Sequence, residues 1–257
     1  MDINWDKREI EVQPYSKLAL MYDNVMSHVN YKEWSRFINT IINKWHAPTR
    51  SMLDVSCGTG SFLKSVMRSS NIELFGFDGS HEMVQQAKKK LVTKTGMAPV
   101  WQGDMVQYKI RTPVDIIVSL YDSINYLIDQ KDIEKFLTCC HQNIRNNGLL
   151  IFDICTRKNS IDHFDYYYDT GGGADYEYRR KSKFDRKLNL HYNFFKLNFR
   201  KSDMIFAENH IQKIYYIHEI LQFISQSGFG IIAILDGFSF RNASEDSFRV
   251  HFVLRKV

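Results

Sequence analysis

The stretch at residues 51–60, SMLDVSCGTG, constrains the fold of this chain most strongly. A short apolar run ends at Asp54 and passes directly into a turn that contains Gly58 and Gly60. Glycines let the backbone bend tightly and let a ligand approach the main chain, and a helix that begins after such a turn presents unpaired N–H groups. The stretch therefore predicts a strand, a glycine-rich turn and a helix. Because several classes of nucleotide and cofactor site use such a turn, the flanking residues have to distinguish them.

Downstream of the turn, the hydrophobic pattern alternates between helices and strands. It predicts helices at 60–68, 80–90 and 129–146, and strands at 72–77, 99–102, 114–120 and 149–154. Ser80 and Asp129 are suited to cap the second and third of these helices. The run at 114–120 is almost continuously apolar, which is typical of a central parallel strand covered on both faces. Repeated strand–helix units of this length predict a right-handed, doubly wound, parallel α/β sheet.

Two further regions flank this alternating pattern. Apolar residues spaced by three and four indicate two amphipathic helices between residues 15 and 46, broken near 28–30. After residue 155, strand-like runs at 175–184, 187–199 and 207–216 predict a small antiparallel sheet, and a helix and two strands follow it. We therefore predict a Rossmann-like, seven-stranded, doubly wound sheet. We expect the chain to divide into four segments: an N-terminal helical lid (1–48), the core (49–160), an antiparallel β insert after the fifth strand (161–216) and the rest of the core (217–257).

Length and composition restrict the class of protein. At 257 residues the chain is long enough for one elaborated α/β domain. No apolar run approaches the roughly 20 residues of a membrane-spanning helix, and residues 1–14 are polar and charged, so we expect a cytoplasmic protein without a membrane partner. The net charge of +5 does not call for nucleic acid, and the basic runs at 88–90 and 179–183 are interpreted as solvated faces. The four cysteines have no disulfide or metal-ligand spacing, so no metal is expected.

Acidic side chains follow the next two strands of the predicted sheet. Asp78 ends the second strand 24 positions after Asp54, where nucleotide-binding sheets place a carboxylate for ribose hydroxyls. After the third strand, Asp104 can accept a hydrogen bond from an exocyclic amine, and Met105 can pack on a base. Because the carboxyl ends of parallel strands meet at one edge of the sheet, these residues and the glycine turn are expected to line one crevice.

Together, the strand ends DVSCGTG, FDGS, QGDM and VDIIVSLYDSINYL make the chain resemble class I S-adenosylmethionine (SAM)-dependent methyltransferases over nearly its whole length. Many members begin the first motif with a glycine where this chain has Ser56, which is small enough for the same turn. The resemblance implies that SAM is the cofactor, with Asp78 at its ribose, Asp104 at its adenine and the carbonyl of Ser119 at its amino group. The strand-end residues expected to bind SAM are Asp54, Ser56, Cys57, Gly58, Thr59, Gly60, Asp78, Gly79, Met83, Gly103, Asp104, Met105 and Ser119.

A narrower resemblance is to the YqeM-like methyltransferases and the aminodeoxysugar N,N-dimethyltransferases. The shared features are PYSKLALMYDNVM with its two tyrosines, the Tyr-x-x-Trp at 31–34, the DSINYL element and the antiparallel insert. In relatives the matching N-terminal residues fold over the SAM sulfonium, so Tyr15, Tyr22 and Trp34 are candidates for cofactor contacts. Core packing is the alternative role of these aromatic side chains. The insert of relatives helps to form the pocket for the methyl acceptor.

One position departs from the sugar-amine subgroup. A histidine regarded as a base in those enzymes is matched here by Tyr126, whose ordinary pKa near ~10 makes it a poor base at neutral pH. Asp122 and Tyr126 are still the candidate catalytic residues, because their loop follows the strand end where the methyl group is expected. A dedicated base is not required if alignment and desolvation suffice. His163, His191 and His210 are interpreted as ordinary surface or packing histidines.

The resulting hypothesis is an enzyme that transfers a methyl group from SAM to a nitrogen or oxygen nucleophile of a small molecule. Three alternatives stay open: a nucleic-acid (RNA) methyltransferase that uses the basic run at 179–183, an NAD-dependent oxidoreductase, and a non-catalytic SAM-binding protein. The SLYDSINYL loop lacks the Asn/Asp-Pro-Pro-aromatic motif of adenine-N6 enzymes, and the GTG turn lacks the full G-x-G-x-x-G of dinucleotide sites. The sequence is compatible with a monomer or a homodimer and does not identify the acceptor.

Overall fold

The computed structural model describes residues 4–46, 48–69, 71–93 and 96–257. Its strands are β1 Arg8–Val12, β2 Ser51–Val55, β3 Glu73–Asp78, β4 Val92–Thr93, β5 Gly96–Met97, β6 Val100–Gln102, β7 Val114–Ser119, β8 Ile144–Cys155, β9 Tyr168–Gly172, β10 Tyr176–Asp185, β11 Leu190–Phe199, β12 Met204–Lys213, β13 Phe229–Asp236 and β14 Arg249–Lys256. Its α-helices are α1 Tyr22–Val25, α2 Tyr31–Trp45, α3 Ser61–Met67, α4 His81–Lys90, α5 Gln130–Asn143, α6 Arg157–His163 and α7 Ile217–Ser225.

The larger sheet has, within the described ranges, seven strands in the order β13-β14-β8-β7-β2-β3-β6. The five strands from β8 to β6 are parallel, and β14 lies antiparallel between β8 and β13. One apolar core packs α2, α3 and α4 against one face, and a second packs α5 and α7 against the other. Helices on both faces of a mostly parallel sheet confirm the predicted doubly wound, Rossmann-like α/β fold.

Local sequence signals explain where α4 and α5 begin and why β7 is buried. The hydroxyl of Ser80 accepts the N–H of Met83 at 3.2 Å and begins α4, and the carboxylate of Asp129 accepts the N–H of Lys131 at 3.0 Å and begins α5. All six residues of β7 are buried, as its apolar run predicts. None of the helices in the described part of the chain combines the length and the apolar character that crossing a membrane requires.

A second sheet of five strands, in the order β1-β12-β11-β10-β9, is built mainly from the predicted insert. Strands β10, β11 and β12 are antiparallel and correspond to the three predicted runs with ends shifted by at most three residues. Strand β9 lies outside the three predicted runs, in a tyrosine- and glycine-rich stretch. These four strands follow β8 and α6 along the chain.

The N-terminal segment differs from the helical lid that the sequence predicted. It begins with β1, which pairs in parallel with β12 and so extends the second sheet. Ile10 and Val12 are half-buried and alternate with exposed charged residues, which is the period-two signal of a strand. Of the two predicted amphipathic helices, the second is α2. In place of the first, residues 18–25 form one 3-10 turn and the short α1. Residues 1–3 and 47 of the predicted lid lie outside the described residues, and the division of the chain into four segments stays a prediction.

Candidate active site

The carboxyl ends of the parallel strands, the N-terminal segment and the second sheet surround a cavity of about 1040 Å³. Of the predicted site residues, all except Gly60 and Ser119 line it: Tyr15, Tyr22, Trp34, Asp54, Ser56, Cys57, Gly58, Thr59, Asp78, Gly79, Met83, Gly103, Asp104, Met105, Asp122 and Tyr126. Gly60 precedes α3, where a Cβ atom would lie 2.9 Å from Leu91 Cδ1. Ser119 is fully buried behind the wall, with its hydroxyl 3.1 Å from that of Ser56.

The glycine turn is held open toward the cavity by backbone hydrogen bonds to the neighbouring strand. The N–H groups of Ser56 and Cys57 both donate to the carbonyl of Phe77, at 2.8 and 2.9 Å. Ser56 has φ of 78° and Gly58 has φ of 54°, both in the left-handed region that glycine adopts most readily. A Cβ atom on Gly58 would meet no protein atom within 4 Å. The backbone at Gly58 is therefore bare on the side where a ligand can approach.

Two carboxylates lie beside this turn. Asp78 accepts the N–H of Gly58 at 2.8 Å and that of Ser80 at 2.9 Å. Burial raises the pKa of Asp78, and these two hydrogen bonds counteract part of the effect. Burial, and then the charge of Asp78, raise the pKa of Asp54, whose carboxylate receives no hydrogen bond from the described residues. A buried acid without a partner favours a cationic ligand group.

The side chains and backbone groups that line this part of the cavity match the chemical groups of SAM. The bare backbone at Gly58 and the unpartnered carboxylate of Asp54 suit the amino-acid end of the cofactor, which carries an ammonium group. The fixed oxygens of Asp78 keep lone pairs for ribose hydroxyls. Asp104 is exposed at the cavity and uses one oxygen to accept the N–H of Val106 at 3.0 Å, which leaves the other free. As contacts to a bound cofactor, these assignments stay predictions.

The N-terminal segment lies over the glycine turn and is held to it by hydrogen bonds and an ion pair. Asp23, in α1, accepts the hydroxyl of Thr59 at 2.6 Å and forms an ion pair with Lys90 at 2.5 Å. Lys90 also donates to Thr59 and Ser61 at 2.8 and 2.6 Å. The side chain of Lys90 is only 15% exposed, so its assignment to a solvated face was wrong. Burial tends to raise the pKa of Asp23, but the hydrogen bonds from Lys90 and Thr59 hold it below its usual range.

The aromatic residues of this segment have two different environments. The rings of Tyr15 and Tyr22 meet edge to face with centroids 5.9 Å apart, and burial raises the pKa of both phenols. Trp34 packs on Tyr121 at 5.6 Å and on Phe238 at 4.9 Å. Trp34 is therefore part of the core as well as of the cavity wall.

A chain of hydrogen bonds crosses from the N-terminal segment to the second sheet. The hydroxyls of Tyr15 and Tyr126 are 2.6 Å apart, and that of Tyr126 lies 3.0 Å from Nδ1 of His210. The other ring nitrogen of His210, Nε2, lies 3.1 Å from Oε2 of Glu208. A carboxylate only accepts, so Nε2 donates to Glu208, and in the neutral tautomer of the ring Nδ1 accepts from Tyr126. Tyr15 then donates to Tyr126.

Glu208 is the last residue of this hydrogen-bonded series, and it also holds the series in position. Its side chain is fully buried, and its carboxylate accepts the N–H groups of Tyr15, Lys17 and Leu18 at 2.7, 2.7 and 2.9 Å. Three backbone donors and the histidine compensate the loss of water around the charge. The same carboxylate therefore positions both Tyr15 and His210.

Asp122, one of the two predicted catalytic residues, is engaged by other side chains. Its Oδ1 accepts from Arg249 at 2.8 Å, and its Oδ2 accepts from Gln212 at 2.7 Å. Arg249 also pairs with the fully buried Asp153, which accepts the N–H of Asp122 at 2.9 Å. Burial raises the pKa of Asp122, and the charge of Arg249 opposes this. Asp122 is thus fixed in a left-handed conformation, φ 53°, with both carboxylate oxygens hydrogen-bonded.

Several residues at the site were missed by sequence reasoning. The basic run at 179–183 is not one solvated face, because Arg179, Lys181 and Lys183 are exposed whereas Arg180 lines the cavity. His210 was interpreted as an ordinary histidine, as were the exposed His163 and the buried His191. The residues concerned are Arg180, Asn193, Glu208, His210, Gln212, Asp153 and Arg249. For Glu208, His210 and Gln212 a signal was available, because these polar side chains stand at every second position of β12 and all three are buried.

Comparison with known proteins agrees with this geometry. A family model described as "Methyltransferase domain" matches residues 52–148. The chain is 23% identical to a putative methyltransferase of Geobacillus sp. (strain WCH70), over 94% of this chain and 99% of that protein. It is 24% identical to the putative methyltransferase YqeM of Bacillus subtilis (strain 168), over 94% and 97%.

Solved structures share the fold over similar lengths. A SAM-dependent methyltransferase from Clostridium acetobutylicum ATCC 824 superposes with a TM-score of 0.79 at 22% identity, covering 94% of this chain and 98% of that one. DesVI of Streptomyces venezuelae gives 0.73 at 19% identity, covering 92% and 97%. The sugar N-methyltransferase KedS8 from Streptoalloteichus sp ATCC 53650 gives 0.72 at 18% identity, covering 90% and 92%.

Proposed function

Because this chain is a class I SAM-dependent methyltransferase, we propose that it methylates a nitrogen or oxygen nucleophile of a small molecule bound between the loop at 119–127 and the second sheet. The observation that carries the proposal is the continuity of the cavity. It reaches from Asp54 and Gly58 at the strand ends to Tyr126 and His210 at the insert. One continuous cavity can then hold a cofactor and an acceptor side by side.

The residues at the strand ends would hold the cofactor. SAM supplies a methyl group on a positively charged sulfur, which is the electrophile of the reaction. Asp54 and the backbone at Gly58 would bind the amino-acid end, and Asp78 the ribose. Tyr15 and Tyr22 would cover the middle of the cavity and exclude water from it, which strengthens the interactions inside.

The hydrogen-bonded chain at the insert would handle the proton of the acceptor. Burial raises the pKa of Tyr126, so a free tyrosinate is disfavoured. The oxygen of Tyr126 can instead accept the proton of the nucleophile while its own proton passes to Nδ1 of His210, and Glu208 stabilises the imidazolium that forms. A histidine on β12 thus gives this site a base, although the loop itself carries a tyrosine.

Asp122 would act by position rather than as a base. Its oxygens are occupied by Arg249 and Gln212, and Arg249, which also pairs with Asp153, offsets part of its charge. The residue holds the loop that carries Tyr126 against the second sheet. We therefore expect Asp122 to set the geometry of the acceptor site.

The choice of a small molecule rests on the volume of the cavity and on the relatives of the chain. The cavity volume of about 1040 Å³ accommodates SAM and a compact acceptor. KedS8, with the same fold, is described as a sugar N-methyltransferase, and a relative from Streptomyces venezuelae that is 25% identical over 40% of this chain is named as an aminosugar N,N-dimethyltransferase. The exposed Arg179, Lys181 and Lys183 lie on the other face of the insert from the cavity.

Two measurements test the proposal. Calorimetry should detect saturable binding of SAM and of S-adenosylhomocysteine, and the absence of binding at millimolar concentration would reject it. Incubation with methyl-labelled SAM and pooled small metabolites should then transfer label to a small, extractable product. Label that appears only in added RNA, or none in any acceptor despite tight SAM binding, would favour the nucleic-acid or the non-catalytic alternative instead.

A further inference from the structure

Arg180 occupies a distinctive position in the cavity wall. Among the described residues that line the cavity, it is the single lysine or arginine, and acidic residues occur at the cofactor end and in the loop. It lies on β10, half-buried, between the exposed Arg179 and Lys181. The alternation of the strand therefore turns this one cation of the basic run inward.

The guanidinium of Arg180 is fixed in place. It stacks over the rings of Phe164, Tyr167 and Phe195, with its central carbon 5.2, 5.5 and 5.5 Å from their centroids. Its Nε and Nη2 donate to the same oxygen of Asn193, at 3.0 and 2.6 Å. These contacts set the plane of the group and remove much of its rotational freedom, which is the preorganisation that a binding arginine needs.

No carboxylate of the described residues forms an ion pair with Arg180. Asp169 lies opposite it on β9, but its Oδ2 accepts the hydroxyl of Tyr178 at 3.0 Å. Arg249 provides the contrast, since that buried arginine is paired with two carboxylates. Nη1 of Arg180 has no hydrogen-bond partner among the described residues, so one edge of the guanidinium is open. A half-buried arginine held by neutral groups is short of a negative partner.

The packing around Phe195 sets an upper limit on the distance between Arg180 and His210. Phe195 packs edge to face on His210, with centroids 5.3 Å apart, and carries Arg180 on the same ring. The guanidinium and the imidazole are therefore no further apart than the sum of those two ring distances. A compact molecule can span this gap.

We infer that the methyl acceptor carries an oxyanionic group, a carboxylate or a phosphate, which Arg180 binds while the nucleophile lies at Tyr126 and His210. The inference rests on the proposed function and narrows its acceptor to small anionic molecules. The free edge of the guanidinium presents N–H groups to two oxygens, a geometry that both carboxylate and phosphate satisfy. The stacked aromatic rings exclude water around the pair and so strengthen it.

The test uses the whole protein saturated with S-adenosylhomocysteine, so that the cofactor side is filled. Inorganic phosphate and acetate are titrated at constant ionic strength, and NMR follows the arginine side-chain N–H signals. We expect saturable binding of at least one anion, weakened about tenfold or more by Arg180→Gln and unchanged by Arg179→Gln, which removes the same group from the exposed face. Binding of phosphate alone identifies a phosphate-bearing acceptor, and binding of acetate alone a carboxylate.

Three results would overturn the inference: no saturable binding to the unaltered protein, equal weakening by both substitutions, or a loss of thermal stability in Arg180→Gln with unchanged anion affinity. If Arg180→Gln does not fold, Arg180→Lys and Arg179→Lys replace the pair, and a weakening of threefold or more confined to the former is required. Calorimetry of S-adenosylhomocysteine on the same samples separates the two proposals. Failure there rejects the proposed function, whereas failure of anion binding alone rejects only the anionic acceptor.

Discussion

Gly58 allows a direct test of where the cofactor binds, because the substitution Gly58→Ala adds one methyl group on the open side of the turn. The residue has φ of 54°, and a Cβ there would meet no protein atom within 4 Å. The cost to the fold is therefore backbone strain alone. Left-handed backbone costs a non-glycine residue roughly 1–2 kcal/mol, and the stiffer unfolded chain returns part of that, so we expect the free energy of unfolding to fall by about 1 kcal/mol.

Gly237 supplies a matched control for that strain. Its φ is 52°, and a Cβ there would also meet nothing within 4 Å, but it lies outside the cavity lining. Gly237→Ala should lose the same free energy of unfolding in urea as Gly58→Ala. Only Gly58→Ala places an atom in the space assigned to the amino-acid end of SAM.

The expected effect on binding follows from overpacking. An extra methyl group in a closely packed contact costs about 1–3 kcal/mol, which corresponds to a rise in the Kd for S-adenosylhomocysteine of about 5- to 150-fold. Gly58→Val should abolish binding, since it adds a larger, β-branched side chain at the same point. Calorimetry at equal folded fraction measures the Kd. If Gly58→Ala binds as tightly as Gly237→Ala, the cofactor does not approach this turn and the assignment of the cavity is wrong.

Four further substitutions test the proton chain, the pH dependence of stability and the attachment of the N-terminal segment. Tyr126→Phe and His210→Gln should each lower kcat about 100-fold or more without changing the Kd of S-adenosylhomocysteine, and a rate loss that tracks that Kd would contradict the proton chain. Burial, and then Arg249, lower the pKa of His251 to about 3 against about 6.5 when unfolded, so below pH 6.5 only the unfolded state takes up its proton and stability falls. Between pH 7.5 and 5, His251→Phe should therefore lose about 2 kcal/mol less than the unaltered protein in urea, and equal losses would refute this. Asp23→Asn should speed release of S-adenosylhomocysteine by up to about fivefold in stopped flow, and an unchanged rate would mean that the Lys90 ion pair does not hold the segment.

The cofactor half of the site could be predicted because its signals are local. Asp54, Asp78 and Asp104 each lie at or just beyond the carboxyl end of a strand whose period and apolar character are readable from a few residues. The rule that the carboxyl ends of parallel strands meet at one edge then brings them together without knowledge of any particular contact. Glycine at 58 adds a backbone conformation that few other residues adopt.

The acceptor half could not be predicted in the same way, because it depends on which face of each strand looks inward. Successive side chains of a strand alternate between faces, so a shift of one residue in pairing exchanges Arg180 for Arg179, or His210 for its neighbours. Local composition does not state which face is covered. The pairing of β1 with β12 adds a contact between residues almost 200 positions apart, which no short window of sequence contains.

Glu208 shows how the register of β12 and the position of the N-terminal segment depend on each other. Burying an unpartnered carboxylate costs several kcal/mol, so an inward-facing glutamate on β12 is compatible with folding only where donors reach it. The donors come from the backbone at 15–18 and from His210, two positions along the same strand. The register that satisfies Glu208 is therefore also the register that brings Tyr15, on the cofactor side, within hydrogen-bonding distance of Tyr126, on the acceptor side. Folding of the N-terminal segment onto the second sheet and assembly of the proton chain are, on this argument, one event, since both depend on the same buried charge.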